Sequence, residues 1–244
     1  MNKNSSDNNQ ITKLSINKKS KNYGRKKIVF TILMIFLSCS VVFTGGTFVV
    51  LNLVEENSMK ITVNKSRLDA LSIYSESDFS NPSTILTMRG PKNMDNITYD
   101  WLPDNIDDNE GGTHNGENYI AFTFYIKNTG TFDIYYSSEI IISKVTNHLD
   151  SAMRVMVIKN GERKIYAKPK SDGNAELVSK YPDNVTIPFL TDSQIMQTEI
   201  TKLKTGDSIK YTLVIWIEGE DNECTDDILG GNLCMEMKFQ IDEN

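Results

Sequence analysis

The clearest hydrophobic pattern in the chain is an uninterrupted apolar run near its start. From Ile28 to Val54 there is no charged side chain in 27 residues. A helix rises about 1.5 Å per residue, so this run would reach about 40 Å, more than the hydrocarbon core of a bilayer, which is about 30 Å thick. The pattern predicts a transmembrane helix over Ile28 to Val54.

Beyond this run, apolar and polar residues alternate with the period of two that is typical of half-buried β-strands. The clearest example is the segment 118–127, where Ile120, Phe122, Phe124 and Ile126 share one face. The turn-forming residues Asn128-Thr129-Gly130 follow, and alternation resumes over 132–142, which predicts a hairpin. Further strands are predicted at 59–63, 84–88, 153–158, 164–167, 195–203, 209–217 and 233–241.

Helical signals in the outer part are limited to single turns, at 65–71 and 146–152. A parallel sheet would need crossover helices, so many short strands separated by turns favour an antiparallel β-sandwich. The Ser-, Asn-, Asp- and Pro-rich stretch 72–117 is predicted either as a long excursion or as ordered loops packed on one end. Residues 55–244 are therefore predicted to form one β-sandwich domain.

Charge divides at the apolar run. Residues 1–27 contain eight basic side chains and only Asp7 as an acid, a balance of +7 within a total of −6, which leaves −13 for the remainder. The positive-inside rule places residues 1–27 in the cytoplasm, as a disordered basic arm, and residues 55–244 outside the cell membrane. An outer part this acidic also argues against a nucleic-acid partner.

The topology leaves one alternative open, a cleaved signal peptide. Small residues at Thr44, Gly45, Gly46 and Thr47 follow the first apolar stretch, as they would before a cleavage site. The run nevertheless continues through Val54 and has no Ala-x-Ala-like site. Retention as a single-pass signal-anchor is the preferred interpretation.

Three segments resemble the TasA-like matrix proteins and camelysins of Gram-positive bacteria, namely Thr44-Gly45-Gly46-Thr47-Phe48, the stretch from Tyr125 to Ile134, and the Gly-Asp turn and strand from Thr205 to Thr212. Where that family has an Ala-containing cleavage site, this chain has Val49-Val50-Leu51-Asn52. A second resemblance, to uncharacterised surface proteins of low-GC Gram-positive bacteria, involves Asn115 to Phe124, Ala152 to Val155, and Val214 to Gly219 through Cys224, Asp227, Gly230 and Gly231.

The resemblance implies a jelly-roll-like sandwich at the cell surface and, for the better-known members, assembly into biofilm matrix fibres. Because camelysins are described as metalloproteases, the resemblance also implies an alternative function, that of an anchored metal-dependent hydrolase. The chain has two histidines, His114 and His148, and no His-Glu-x-x-His motif. Zinc hydrolases usually present three protein ligands, so the sequence favours two solvated histidines over a zinc site.

The acidic segment 218–227 holds six carboxylates in ten residues. Calcium takes six to eight oxygen ligands, so this loop could form a weak calcium site, although its spacing is not that of an EF-hand. A solvated acidic loop in which no metal binds is the preferred interpretation, because charge-dense loops are usually solvated. The candidate ligands are Glu218, Glu220, Asp221, Asp226 and Asp227.

Cys224 and Cys234 have nine residues between them, and outside the cell they would be able to form a disulfide across a predicted hairpin. Two independent thiols are the alternative. No nucleophile motif or phosphate loop accompanies them.

The aromatic residues of the strands offer one further candidate surface. Tyr119, Tyr125, Tyr135 and Trp216 would form a glycan- or protein-contact patch if exposed, or would lie under neighbouring strands. We expect a membrane-anchored surface protein that acts by binding, self-assembly or contact with cell-envelope partners. No catalysis is evident.

Overall fold

In the part of the chain that the structure describes, the segments with alternating apolar and polar side chains form β-strands. A computed structural model describes residues 57–64, 70–179 and 185–242. The predicted basic arm and transmembrane segment lie outside these residues. Inside them, no helix has the length and hydrophobicity needed to span a bilayer. Helical structure in the described ranges consists of 3-10 turns at Tyr99–Trp101, Leu149–Ser151 and Asp226–Ile228.

The described ranges contain thirteen strands, and the fold is all-β. In chain order they are β1 (Ser58–Val63), β2 (Leu71–Tyr74), β3 (Ile85–Arg89), β4 (Gly112–Thr113), β5 (Ile120–Asn128), β6 (Ile134–Val145), β7 (Met153–Lys159), β8 (Glu162–Ala167), β9 (Ile187–Pro188), β10 (Gln194–Gln197), β11 (Thr201–Leu203), β12 (Ser208–Ile217) and β13 (Leu233–Asp242).

The strands form two mixed sheets. The first has the order β10-β6-β13-β1-β3, with β11 also paired to β6, and the second has the order β2-β5-β12-β7-β8-β9, with β4 also paired to β5. Each sheet contains one parallel pair, β1 with β13 and β8 with β9. The expectation of purely antiparallel pairing is therefore wrong for these two pairs.

The predicted hairpin around Asn128-Thr129-Gly130 is wrong. β5 belongs to the second sheet and β6 to the first, so the connection crosses between sheets. Asn128 is fully buried and holds the crossing: its Nδ2 donates to the carbonyl oxygens of Phe132 and Leu203, and its Oδ1 accepts from the Gly130 amide. β12 and β13 likewise lie in different sheets, so the segment with both cysteines is no hairpin either. Alternation fixes which face of a strand is buried, but not which strand is its neighbour.

The apolar faces of the two sheets meet in one core. Phe124 and Tyr211 from the second sheet pack against Phe239 from the first, with ring centroids 6.0 and 5.4 Å from the Phe239 ring. The hydroxyls of Tyr136 and Tyr211 lie 3.2 Å apart, which gives each buried phenol a hydrogen-bond partner. Burial raises the pKa of Tyr211 far above its ordinary value, so this phenol stays protonated.

A second, smaller core covers the outer face of the second sheet. The segment 97–106 lies over that face and packs Ile97, Leu102 and Ile106 against the fully buried Trp216. The predicted aromatic patch therefore does not form as a unit, because Trp216 lies under a loop, while Tyr135 is about half exposed. Part of the stretch 72–117 is thus an ordered loop layer, packed on a sheet face and not on an end.

Candidate functional site

A cavity of about 600 Å³ opens at one end of the two sheets. It lies where β5 and β13 begin and where β12 ends, and Asn57, just before β1, also lines it. We call it the end cavity. Its size is within the range of about 300–1,000 Å³ that is usual for small-molecule sites.

The wall of the end cavity is aliphatic. Ile215 and Ile217 point to the same side of β12 because side chains alternate along a strand. Ile120, Ile228 and Leu233 join them, and all five side chains are at most 8% exposed. No described residue that lines the cavity is aromatic. The wall therefore offers apolar contact without a ring on which a sugar would stack.

Polar groups near the opening are mostly uncharged. Asn57, Asn93, Asn96, Asn232 and Thr225 contribute to the lining. Asn57 is structural, since its Oδ1 accepts a 3.1 Å hydrogen bond from the Leu233 amide. Thr225 precedes the 3-10 turn Asp226–Ile228, and its hydroxyl makes no capping hydrogen bond there. Amide and hydroxyl groups are thus available beside an aliphatic wall.

Two glycines allow the backbone to approach closely around the cavity. A Cβ on Gly219 would lie 2.5 Å from Asn96 Oδ1, and a Cβ on Gly231 would lie 2.9 Å from the carbonyl oxygens of Ile228 and Thr146. Any side chain at Gly231 would have to displace backbone, since both clashing atoms are carbonyl oxygens. These two glycines belong to the segment whose resemblance to surface proteins the sequence indicated.

Cys224 also lines the end cavity and is half-buried. Burial raises the pKa of its thiol, and the carboxylates of Asp221 and Glu218 raise it further. The thiolate is the nucleophilic form of cysteine, so this thiol is poorly suited to covalent catalysis. Within the described residues no disulfide joins Cys224 to Cys234, which lies buried on β13.

The five predicted calcium ligands have separate roles. Glu218 is buried, and its Oε2 accepts hydrogen bonds from the Tyr99 amide at 3.1 Å and from Trp216 Nε1 at 3.0 Å. Its carboxylate therefore ties the covering loop to β12. Asp221 is buried as well and accepts from Arg154 Nη2 at 2.7 Å.

The other three candidates, Glu220, Asp226 and Asp227, are exposed. Across the described ranges no group of three or more His, Cys, Asp or Glu side chains is placed to hold a metal ion. Proximity in sequence did not bring these carboxylates together, because two of them point inward to organise the loop.

The two histidines also lie in different settings. His148 is exposed and adopts the left-handed backbone conformation before the 3-10 turn Leu149–Ser151. His114 is half-buried beside β5, and its Nε2 is 2.9 Å from the hydroxyl of Thr123. Neither one shares a metal-binding group with other described residues.

A directed chain of hydrogen bonds leads away from His114. The Thr212 hydroxyl donates its proton to Asp107 Oδ1 at 2.6 Å. The Thr212 oxygen therefore accepts from the Thr123 hydroxyl at 2.8 Å, and this bond uses the single hydroxyl proton of Thr123. Thr123 must therefore accept from His114 Nε2, which carries a proton. Lys210 Nζ also contacts the Asp107 carbonyl oxygen. Both threonines are fully buried, so no substrate reaches their hydroxyls.

The sequence did not predict the end cavity, because its lining comes from six separate segments of the chain. Two signals were available: the isoleucines at the end of β12, and the Gly230-Gly231 pair just before β13. The spacing of strands alone does not show that these ends face a common space.

Comparison with known proteins adds weak likenesses to solved structures, among them two structures of one enzyme. No protein-family model matches the chain, and no curated protein does. A selenomethionine-labelled β-glucosidase from Kluyveromyces marxianus is 14% identical, with a TM-score of 0.25, over 72% of this chain and 17% of its own. The same enzyme in complex with glucose is 13% identical, with a TM-score of 0.23, over 69% and 15%. The chain spans about a sixth of the length of these structures. Likenesses this weak do not indicate a shared fold or function.

Proposed function

We propose that the chain is a single-pass protein of the bacterial cell membrane whose outward-facing β-domain binds a ligand in the end cavity, with no evident catalysis. The apolar run from Ile28 to Val54 and the charge division around it support the membrane placement. The two facing sheets, with crossings between them after β5 and β12, support a jelly-roll-like sandwich. Both agree with the TasA-like and Gram-positive surface-protein resemblance.

The observation that carries the binding role is the composition of the end cavity. An aliphatic wall beside a few uncharged amides and hydroxyls is typical of small-molecule sites, in which apolar contact dominates and polar groups fix the orientation of the ligand. Three potentially reactive side chains near the cavity are occupied by other groups or held unreactive. Glu218 and Asp221 organise the loop, and Cys224 is held as a thiol.

Nothing specific favours the alternative of a camelysin-like metal-dependent hydrolase. A hydrolytic zinc needs several protein ligands around one point. His114 donates into the threonine chain and His148 lies on an exposed turn, so the pair does not supply such a point in the described ranges.

Binding in the cavity is also better supported than matrix assembly through strand edges. Long, flat edge strands are the surfaces that add further strands. Here the described strands at the ends of the two sheet orders are short: β3 has five residues, β2 and β10 have four each, and β9 has two, one of which is Pro188. Proline lacks the amide proton that strand pairing needs.

The membrane placement is tested by labelling intact cells that express the full chain with a C-terminal epitope. An antibody added outside should bind without permeabilisation, because residues 55–244 are proposed to face outward. Binding only after the membrane is opened would show that the topology is inverted. A cytoplasmic protein detected in parallel reports whether the cells remained closed.

The binding role is tested by extracting small molecules from the purified full-length protein and identifying them by mass spectrometry. Asn232→Trp should deplete the bound species about tenfold or more, because the larger side chain fills the cavity. The backbone amide of residue 232 keeps its hydrogen bond to Thr146 Oγ1 in this variant. Asn109→Trp, on an exposed loop outside the lining, is the matched control. Equal recovery from all three proteins would contradict binding in the end cavity.

A further inference from the structure

The end cavity has features that narrow the class of its ligand. Its five buried wall residues are isoleucine or leucine, with the flexible Met94 beside them, and no aromatic ring is present among the described lining residues. Aliphatic walls gain free energy from any buried methylene, whereas sugars and aromatic ligands gain most from ring stacking. The wall therefore fits an alkyl chain.

The opening fits an uncharged polar head. No hydrogen bond within the described residues engages the side-chain amide of Asn93 or Asn232, and the Thr225 hydroxyl does not cap its turn. These groups both donate and accept, so they match hydroxyls, esters or amides. They lie in the same lining as the alkyl wall.

The charges of the lining disfavour an anionic head. Asp95 and Asp226 line the cavity, against the single cation Lys92. The Asp95 carboxylate accepts a hydrogen bond from the backbone amide of Asn96 at 2.9 Å. A carboxylate or phosphate head placed here would meet an acidic surplus, and like-charge approach is a common means of rejecting a ligand.

We infer that the ligand of the end cavity is a neutral amphiphile with a single alkyl chain and a hydroxylated or amide head. This inference rests on the proposed function, since it names the ligand of that same site. The alkyl chain lies against Ile120, Ile215, Ile217, Ile228 and Leu233. The head lies among Asn93, Asn232 and Thr225.

Cys224 provides a built-in reporter of occupancy. It lines the cavity, whereas Cys234 on β13 does not. N-ethylmaleimide, a small neutral reagent, can be reacted with the full-length protein in lipid nanodiscs, and each cysteine followed separately by peptide mass spectrometry. Cys234 then reports any general change in the protein.

The probe is monodecanoylglycerol, and its free aqueous concentration is measured after the nanodiscs are removed. It should slow alkylation of Cys224 about tenfold and leave Cys234 unchanged. Octanoyl and dodecanoyl homologues should shift the half-effective concentration by up to about fourfold per methylene, as expected for burial of an alkyl chain. Decanoate, with the same chain and an anionic head, should protect more weakly, and glycerol alone should not protect.

Asn232→Trp should abolish the protection, and Asn109→Trp should retain it. If Asn232→Trp does not fold, Leu229→Trp replaces it as the variant that fills the cavity, because Leu229 is an exposed residue of the same lining. The inference is overturned if Cys224 reacts equally fast with and without monodecanoylglycerol, if decanoate protects as well, or if only an aliphatic peptide protects. The proposed function fails separately, when wild type and Asn232→Trp yield the same extracted molecules.

Discussion

Arg154 and Asp221 form an ion pair that is shielded from water, with Arg154 Nη2 2.7 Å from Asp221 Oδ2 and both side chains 1% exposed. Arg154 also donates to the carbonyl oxygen of Leu177 from Nε and Nη2. The pair joins β7 to the acidic loop that follows β12. This loop continues to Cys224 and Thr225, so the pair helps to hold one wall of the end cavity.

Asp221→Ala should therefore destabilise the fold by about 3–5 kcal/mol, because it removes the nearest counter-charge of the buried Arg154 guanidinium and leaves it with Glu176 Oε2 at 4.0 Å. Urea unfolding of the full-length protein measures the change. Asp227→Ala removes an exposed carboxylate of the same loop and should change the free energy of unfolding by less than about 0.5 kcal/mol. Equal effects of the two substitutions would show that the ion pair has no special role.

Glu176 makes the same region sensitive to pH. Burial raises its pKa above the ordinary value of 4.5, and Asp221 raises it further, while Lys170 and Arg154 oppose the shift. The folded state then holds the proton more tightly than the unfolded state, so stability should fall as pH rises from 4.5 through the raised pKa. Glu176→Gln should flatten this part of the profile of unfolding free energy against pH, and the exposed Glu162→Gln should not. An unchanged slope in Glu176→Gln would contradict the assignment.

His114 should be a neutral imidazole with its proton on Nε2. Burial and the Lys210 charge lower its pKa, against a smaller opposing effect of Asp107. Titration by nitrogen-15 NMR should give a pKa below 6.5, and Asp107→Asn should lower it further. His148 provides a second histidine signal in the same spectra. A neutral ring with its proton on Nδ1 would contradict the hydrogen-bond direction described above, and a pKa above the ordinary value would contradict the effect of burial and Lys210.

Calcium should not stabilise the protein. Two of the five candidate ligands, Glu218 and Asp221, are occupied by Trp216 and Arg154, and the described residues offer no group that could hold a metal. The melting temperature should be the same in calcium and in EDTA. A melting temperature that rises with calcium would contradict this prediction and support a metal site in the acidic loop.

The sequence was a good guide to single strands and a poor one to their neighbours. The segments predicted at 153–158, 209–217 and 233–241 fall within β7, β12 and β13, because alternation is a local property of the chain. The hairpin at Asn128-Thr129-Gly130 was wrong because the same turn chemistry serves a crossing between sheets. What distinguishes the two is burial of Asn128 against Leu203, a contact between distant residues.

The candidate site was less accessible to prediction for a related reason. Carboxylate density in 218–227 allowed a calcium loop and favoured a solvated one, but Glu218 and Asp221 are buried against partners far away in sequence, Tyr99 and Arg154. An arginine within the strand Met153–Lys159 was the missed signal, since a buried cation requires a buried anion. The aliphatic cavity depends on the ends of several strands meeting, which no local pattern encodes.

The most direct test of binding in the end cavity is the melting temperature of the full-length protein before and after bound small molecules are stripped with a hydrophobic resin. A ligand that binds only the folded state at one hundred times its dissociation constant adds about 2.7 kcal/mol of stability. Wild type and Asn109→Trp should therefore melt several degrees lower after stripping, and Asn232→Trp should not change. Identical melting of all three proteins before and after stripping would contradict the account.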